Sequence, residues 1–452
     1  GSIIMKSNHS VIILALCAGS VLAASGTTPE LGIRDHTPDL TALVNARVVI
    51  SPDRTIDSAV IVFEHGVIRE VSRSARVPEG ALVVDLGGRV VYPGFIDPHS
   101  DYGLLAEEEG HGQGGRIAWG GPKYEADRIG GSAWNEAIRA EIDWVDSFRP
   151  DSTAAQKYLG AGITVTQTTR QEGIFRGRPA VVLLRQGLPN NQVLRARSYP
   201  ALSFYKGSSA QDYPSSQMGA IALIRQTLLD VDWYRAARAA WERNPGQEMP
   251  EFNAAIEALG RQADTMIFVA ADDKEIIRAA RLAREFGRTF ICVGSGCEYE
   301  RAEEIRGELV ELIIPVNYPE APEVGSLEDE LEVTLEDLRH WERAPGNAAR
   351  LAQEKIPFAF TAAGLDDPSE YLSRVRTAVR YGLPPETALR ALTTVPARLC
   401  GVDRYVGTLE PGKLANLVVC SGDLFADTTR ILAVWAAGQK YEFEPLHPGE
   451  YR

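Results

Sequence analysis

A histidine and an aspartate stand two residues apart in the stretch VVYPGFIDPHSDYG, which runs from Val90 to Gly103. The stretch is apolar, turns at Pro-Gly, is apolar again, and then presents His99 and Asp101. Side chains at positions i and i+2 of a β-strand point to the same side, so these two residues would face one space. Imidazole and carboxylate are ligands that zinc and similar ions accept, which raises the possibility of a metal site.

The elements that must position this stretch change character along the chain. Residues 41–91 read as short strands separated by tight turns such as EHG, and short strands return in VGTLEPGKLANLVVCSGD and ILAVWAAGQKYEF. Between these regions, buried strands alternate with amphipathic helices, which predicts a parallel sheet. At this length a (β/α)8 TIM barrel is the favoured closure. An open doubly wound sheet is the alternative, disfavoured because no Gly-rich phosphate loop follows the first strand.

Composition and the N-terminal sequence indicate which binding partners and which cellular compartment to expect. The 452 residues carry a net charge of -14 with no dominant basic run, which argues against a nucleic-acid partner. Met5-Lys6 followed by an apolar run and VLA is typical of a signal peptide, so we expect a periplasmic or secreted protein; a buried N-terminal strand or helix is the alternative. No other stretch reads as a membrane span. Cys292 and Cys297 could form a disulfide or remain free, buried thiols.

Three motifs carry a resemblance to a known family. YPGFIDPHSD resembles the first-strand signature of the amidohydrolase superfamily, Pro-Gly-x-Ile-Asp-x-His-x-His. GTLEPGKLANLVV resembles its C-terminal signature, with Asn416 where Asp is usual, and PPETALRALTTVPARLCGV resembles the preceding helix. The resemblance covers nearly the whole mature chain and is closest to the imidazolonepropionase-like branch. It implies a metal-holding (β/α)8 barrel flanked by a β-sandwich built from both chain ends.

The predicted domain boundaries follow from this resemblance and from the strand pattern. We expect a signal peptide at residues 1–24, the N-terminal part of the sandwich at 25–92, the barrel at 93–402 and the C-terminal part of the sandwich at 403–452. A long Gly- and Trp-rich loop at 104–144 follows the first barrel strand. It should therefore lie on the carboxyl face of the barrel, as a lid or an interface.

The resemblance also implies a chemistry, the metal-assisted hydrolysis of carbon–nitrogen bonds. The family's usual ligands are two His from strand one, a carboxylated Lys or Glu from strand four, one His each from strands five and six, and an Asp from strand eight that also serves as base. Zinc or another divalent metal is the implied cofactor, and a small amide or peptide-like molecule is the implied substrate.

The sequence departs from this ligand set at several positions. Asp101 replaces the second histidine of strand one, and Lys206 is only a weak candidate on strand four. Where the remaining ligands are expected, the chain has residues that are apolar or small: Ala270 and Ala271 on strand five, Gly294-Ser295-Gly296-Cys297 on strand six, Ala362 and Ala363 on strand eight. An ordinary binuclear site cannot be built from these residues.

Two functional interpretations remain. In the favoured one the barrel is non-catalytic and binds no metal, and it forms a homo-oligomer or pairs with a related catalytic amidohydrolase. The stretches YPSSQMGAIALIRQTLLDVDWY and GIFRGRPAVVLL support it, because they resemble the degenerate half of paired or tandem secreted amidohydrolases.

In the other interpretation a rearranged mononuclear site survives. His99, Asp101, Asp272 and Asp366 would be its metal ligands, and Asp101, Asp366 or Asp367 its catalytic acid or base. The carboxylates of ADDKE have an alternative role as a helix start, since acids favour the N-terminal end of the helix dipole.

Overall fold

The computed structural model of the protein describes residues 39–104, 130–132, 135–207, 212–262 and 264–446, except for the side chains of residues 327–329. All of these residues belong to one compact unit. The predicted signal peptide and most of the predicted long loop lie outside these ranges. Within them, no helix combines the length and the apolar character needed to cross a membrane.

The strands of the described residues are β1 (Leu40–Ser51), β2 (Arg54–Glu64), β3 (Val67–Ser72), β4 (Leu82–Asp85), β5 (Val90–Pro93), β6 (Phe95–Ser100), β7 (Ile163–Thr168), β8 (Phe175–Gly177), β9 (Ala180–Leu183), β10 (Val193–Arg195), β11 (Ala201–Ser203), β12 (Thr265–Val269), β13 (Thr289–Val293), β14 (Glu311–Pro315), β15 (Phe358–Thr361), β16 (Leu417–Cys420), β17 (Ile431–Ala436) and β18 (Gln439–Glu442). The helices are α1 (Trp144–Ser147), α2 (Ser152–Gly160), α3 (Gln217–Arg243), α4 (Ala254–Gln262), α5 (Asp273–Glu285), α6 (Ala302–Gly307), α7 (Leu327–Glu332), α8 (Leu335–Arg343), α9 (Asn347–Gln353), α10 (Tyr371–Arg380), α11 (Pro385–Leu392) and α12 (Thr394–Leu399).

Both ends of the described chain contribute to one eight-stranded sheet. Its strand order is β18-β17-β16-β5-β1-β2-β3, with β4 paired to β1. β16 runs antiparallel to β5, with Leu417 opposite Pro93, so the C-terminal strands extend the N-terminal ones directly. Phe63 and Trp435 are both buried in the same core on this sheet. The two short-strand regions of the sequence therefore fold together.

The predicted EHG turn is confirmed as the loop of the β2–β3 hairpin. His65 and Gly66 both have positive φ, 49° and 75°, which matches the two-residue turn that suits the twist of paired strands. A Cβ on Gly66 would lie 2.3 Å from the carbonyl oxygen of Ala437. Glycine is therefore required both by the backbone conformation and by the close approach of the β17–β18 turn.

The middle of the chain confirms the predicted mixture of helices and parallel strands. β6 pairs in parallel with β7, and β11 to β15 pair in parallel in chain order. All of these strands are largely buried, and β11 to β15 are also largely apolar, as expected for parallel strands covered by helices. α11 begins at Pro385 as predicted, because the first turn of a helix tolerates a residue without N–H.

The backbone ladders of these described strands form two sheets rather than one ring. The orders are β10-β9-β7-β6 and β15-β14-β13-β12-β11-β8. Side chains join the two sheets. Thr361 Oγ1 on β15 lies 2.7 Å from both Asp97 Oδ1 and the carbonyl oxygen of His99 on β6. Ser198, in the segment between β10 of one sheet and β11 of the other, donates from Oγ to Gln167 Oε1 on β7. The sheet pairing by itself therefore does not establish the predicted (β/α)8 closure.

Candidate functional site

His99, the histidine of the opening motif, lies near the carboxyl end of β6. It is 2% exposed. Its Nε2 lies 3.0 Å from Gln171 Oε1, while its Nδ1 is buried without a hydrogen-bond partner. Gln171 Nε2 donates to the carbonyl oxygen of Thr169, which fixes the amide so that Oε1 faces the imidazole. The neutral ring therefore carries its proton on Nε2 and leaves a lone pair on Nδ1.

Asp97 is a fully buried carboxylate next to His99 on β6. Its Oδ1 accepts hydrogen bonds from the backbone N–H of His99 at 3.1 Å and from Thr361 Oγ1 at 2.7 Å, and its Oδ2 has no partner. Burial raises the pKa of Asp97 to about 7, although the hydrogen bond from Thr361 opposes this shift. The side chain thus holds β6 against β15 and positions the backbone that carries His99.

Arg176 on β8 carries a buried guanidinium group and is held to Gly173, two residues after the Gln171 that contacts His99. It is 3% exposed. Its Nη2 donates to Ser203 Oγ at the carboxyl end of β11, and its Nε donates to the carbonyl oxygen of Gly173, both at 3.1 Å. Burial, together with the positive charge of Arg176, lowers the pKa of His99 to about 4. The same fixed charge opposes the binding of a divalent cation beside His99.

Asp101 and Asp272, two of the predicted metal ligands, are not buried as His99 is. Asp101 is exposed. Asp272 is half-buried and caps α5, where its carboxylate accepts a hydrogen bond from the backbone N–H of Glu275 at 2.7 Å. The alternative role of the ADDKE carboxylates as a helix start is therefore confirmed.

The two carboxylates after β15 also have separate surroundings. Asp366 is exposed. Asp367 accepts a hydrogen bond from the backbone N–H of Ser369 at 3.0 Å and lies 3.8 Å from Lys157 Nζ. The hydrogen bond to Ser369, aided by Lys157, lowers the pKa of Asp367. A lowered pKa makes this carboxylate a weaker base at neutral pH than an ordinary aspartate.

The residues of this part of the chain do not fit an ordinary metal site. No three His, Cys, Asp or Glu side chains form a group that could hold a metal ion among the residues that the structure describes. His99, Asp101, Asp272 and Asp366 are therefore not brought together as a metal cage. The next residues after β12, β13 and β15 are Ala270, Gly294 and Ala362, whose side chains offer no ligand atoms.

Glu298 is a buried polar residue that sequence reasoning missed. Its Oε1 accepts hydrogen bonds from the backbone N–H groups of Ser295 and Gly296, and its Oε2 accepts one from Asn347 Nδ2 at 2.6 Å. Burial raises its pKa. A Cβ on Gly294 would lie 2.1 Å from Glu298 Oε1, so this carboxylate excludes a larger residue where the family carries a strand-six histidine.

Cys297 has a histidine neighbour that is distant in sequence. Cys297 Sγ lies 3.7 Å from His340 Nδ1, which is also 3.1 Å from the hydroxyl of Tyr299. Burial raises the pKa of the Cys297 thiol to about 11, the opposite of what a nucleophilic thiolate needs. All four described cysteines are free, so Cys292 and Cys297 do not form the disulfide that the sequence left open.

We expect Cys297 to be a poor nucleophile in the folded protein. At about pH 7.5 its thiolate fraction should be roughly a hundredfold below that of an ordinary cysteine, and alkylation by iodoacetamide correspondingly slow. Peptide mass spectrometry of a labelling time course measures this rate, with the same protein unfolded in urea as the control. Equal rates in the folded and unfolded protein would contradict this expectation.

Comparisons with known proteins agree with the motifs. Residues 347–440 match the model of the amidohydrolase family. The chain is 34% identical over 137 residues to an imidazolonepropionase of Nocardia farcinica (strain IFM 10152). The matched stretch is 29% of this chain and only 35% of that protein. It is 23% identical over 389 residues to an imidazolonepropionase of Symbiobacterium thermophilum. That match spans 78% of this chain and 80% of that protein. A solved amidohydrolase from Thermotoga maritima MSB8 is similar in fold, with a TM-score of 0.70 at 22% identity over 89% of this chain and 100% of that chain.

The family match covers the C-terminal signature, and the structural similarity covers 89% of the chain. These similarities together support the resemblance to the amidohydrolase superfamily. The curated proteins that the chain resembles include three imidazolonepropionases, in agreement with the resemblance to the imidazolonepropionase-like branch.

Proposed function

We propose that this chain is a non-catalytic or regulatory member of the amidohydrolase superfamily, which pairs with a related amidohydrolase that retains its metal ligands. The observation that carries the proposal is the buried guanidinium of Arg176 beside His99, the one histidine kept from the family's ligand set. A fixed cation occupies the surroundings in which the family holds divalent metal. Ala270, Gly294 and Ala362 supply no compensating ligands.

The fold that we propose for this function is a closed (β/α)8 barrel flanked by a composite β-sandwich. The parallel pairing of β6 with β7 and of β11 to β15 supports the barrel. The contact of Thr361 with Asp97 supports closure between β15 and β6. The eight-stranded sheet with strands from both chain ends supports the sandwich, at residues 25–92 and 403–452.

Pairing is supported by exposed apolar side chains on α3, the helix within the stretch that resembles the degenerate half of paired amidohydrolases. Met218, Leu229 and Trp233 are 79%, 55% and 64% exposed. They are separated by about three turns and then about one turn, so they share one face of the helix. Apolar side chains exposed together on one face are typical of a contact surface.

Co-expression tests the pairing. We expect the chain to elute with a related amidohydrolase of the same organism that retains both strand-one histidines, as a single peak whose hydrolase activity is lost when the partner's ligands are changed. Trp233→Asp should split the peak, whereas Leu188→Asp, at a residue 70% exposed outside α3, should not. Separate elution, with amide hydrolysis by this chain alone, would contradict the proposal.

A second candidate is an active mononuclear hydrolase, and one observation favours it. His99 Nδ1 is buried, unpartnered and neutral, so its lone pair is available to a ligand. In this proposal Asp101, Asp272 and Asp366 complete a zinc site after a rearrangement. The substrate would be a small amide, a cyclic urea or an imidazolone, the last in keeping with the names of the relatives. Stoichiometric zinc that disappears in His99→Ala would support this candidate.

Export is a further part of the proposal. The apolar run after Met5-Lys6 supports removal of a signal peptide near residue 24 and delivery to the periplasm or the medium. Mass spectrometry of the protein from the periplasmic fraction should show an N-terminus close to residue 25. Recovery of the uncleaved chain from the cytoplasm would contradict this part of the proposal.

A further inference from the structure

We propose that Arg176 anchors an anion-binding site beside His99 and that this site takes a small carboxylate or phosphate carrying a hydroxyl donor. The inference goes beyond the pairing function, because it requires neither a metal ion nor a partner subunit. It concerns a ligand for the carboxyl ends of β6 and β11, where the family resemblance alone predicts a metal.

The guanidinium donors of Arg176 are only partly paired within the protein. Its Nε donates to the carbonyl oxygen of Gly173 and its Nη2 to Ser203 Oγ. Its Nη1, with two N–H groups, is buried and has no hydrogen-bond partner. Donors of a charged group that are buried and unpaired are costly, so an anion that pairs with them would relieve this cost.

Ser203 cannot relieve the cost of the unpaired Nη1. Its hydroxyl lies 3.1 Å from the carbonyl oxygens of Gly173 and Tyr205, and it accepts from the backbone N–H of Tyr205 at 3.0 Å as well as from Arg176. Its hydrogen-bonding capacity is used within the protein. The serine therefore fixes the position of the guanidinium and leaves Nη1 for an external ligand.

The charges around Arg176 do not remove the need for an anion. Burial lowers the pKa of Arg176 to about 10, so the group stays charged at neutral pH. The carboxylate of Glu172 raises this pKa, and the cation of Arg170 lowers it. The two neighbours therefore act in opposite directions on the same buried charge.

The polar atoms on the His99 side define the rest of the ligand. Thr169 Oγ1 is buried and unpartnered, and its residue is linked to His99 through Gln171. His99 Nδ1 carries a lone pair and therefore accepts a hydrogen bond. In the proposed site the oxyanion pairs with Arg176 and a neighbouring hydroxyl group donates to His99. Gln171 is exposed, so this side of the cluster is one side chain away from solvent.

Calorimetric titration of the full chain tests the site. The protein is first treated with EDTA, so that binding through a metal is excluded, and is then titrated at low salt with acetate, glycolate and inorganic phosphate. We expect one equivalent of glycolate or phosphate to bind, with glycolate tighter than acetate because only glycolate donates to His99. Arg176→Gln should weaken binding by about tenfold to a hundredfold, the usual effect of losing a hydrogen bond to a charged group.

Arg178→Gln is the matched control, because Arg178 is also buried but its Nε lies 2.6 Å from Asp143 Oδ1. It should leave anion affinity unchanged. Arg176→Lys serves if Arg176→Gln does not fold, and it should lower the affinity while keeping the charge. Absence of binding by the EDTA-treated wild type, or equal affinity in both Arg176 variants and the wild type, would overturn the proposal. Binding that EDTA abolishes would overturn it too, and would count against the non-catalytic function instead of supporting it.

Discussion

Asp97→Ala is expected to lower the free energy of unfolding by about 3 kcal/mol, the range for breaking a buried hydrogen-bond network. The carboxylate is fully buried and accepts from both the backbone of His99 and the hydroxyl of Thr361. Its removal leaves the N–H of His99 buried without an acceptor and loosens β6 from β15. Urea unfolding followed by tryptophan fluorescence measures the change.

Asp101→Ala is the matched control for this experiment. Asp101 lies as far along the chain from His99 as Asp97 does, but it is exposed. Its replacement should change the free energy of unfolding by less than about 0.5 kcal/mol. A larger loss for Asp101→Ala than for Asp97→Ala would mean that Asp101, and not Asp97, organises the end of β6.

Asp97→Asn is expected to make stability depend steeply on pH between about 4 and 6.5. In the wild type, the raised pKa of Asp97 gives a contribution that is fully present below pH 3.8 and lost as the pH rises to about 7. The lowered pKa of His99 gives the opposite contribution, present above pH 6.5 and lost as the pH falls to about 4. The two contributions therefore change stability in opposite directions with pH and largely cancel over this range. Asp97→Asn removes the contribution of Asp97 and leaves that of His99.

The variant should therefore lose about 3 kcal/mol of stability between pH 6.5 and 4, while the wild type changes much less over the same range. Because Asn keeps an oxygen acceptor for His99 and Thr361, its stability near neutral pH should stay close to that of the wild type. His99→Gln is the reciprocal control, in which stability should fall as the pH rises from 4 to 7. Parallel pH profiles for all three proteins would show that neither group titrates in the folded state as described.

The sequence was sufficient to predict the structural features that depend on local patterns. The EHG turn, the strands on either side of it and the start of α11 after Pro384 follow from short-range rules, and all three are present. The C-terminal signature was sufficient to predict the match to the amidohydrolase family model. These features are predictable because the residues that determine them are neighbours along the chain.

The surroundings of His99 were not predictable, because they depend on contacts between distant residues. Arg176 lowers the pKa of His99 from another strand, and the only hint in the sequence is an arginine within the apolar run GIFRGRPAVVLL. His340 reaches Tyr299 across 41 residues. Asp272 could be either a ligand or a helix cap from its sequence alone, and the distance to the backbone of Glu275 identified the cap.

The same limit applies to Glu298, which looked like one more acidic residue beside Cys297. Its burial follows from the tight path of Ser295 and Gly296, whose N–H groups both point at the carboxylate. Asn347, at the start of α9 after the next strand, completes its hydrogen bonds. A carboxylate held by three donors inside the protein has little capacity left for a metal.

Metal analysis of the purified chain tests the central claim most directly. The protein should be exported, purified without chelators, and measured by elemental mass spectrometry alongside His99→Ala and a metal-competent amidohydrolase. The account predicts far less than one equivalent of zinc, manganese or iron in this chain, with the same value in His99→Ala, and full occupancy in the amidohydrolase. One equivalent of metal in this chain, lost in His99→Ala together with amide hydrolysis, would contradict it.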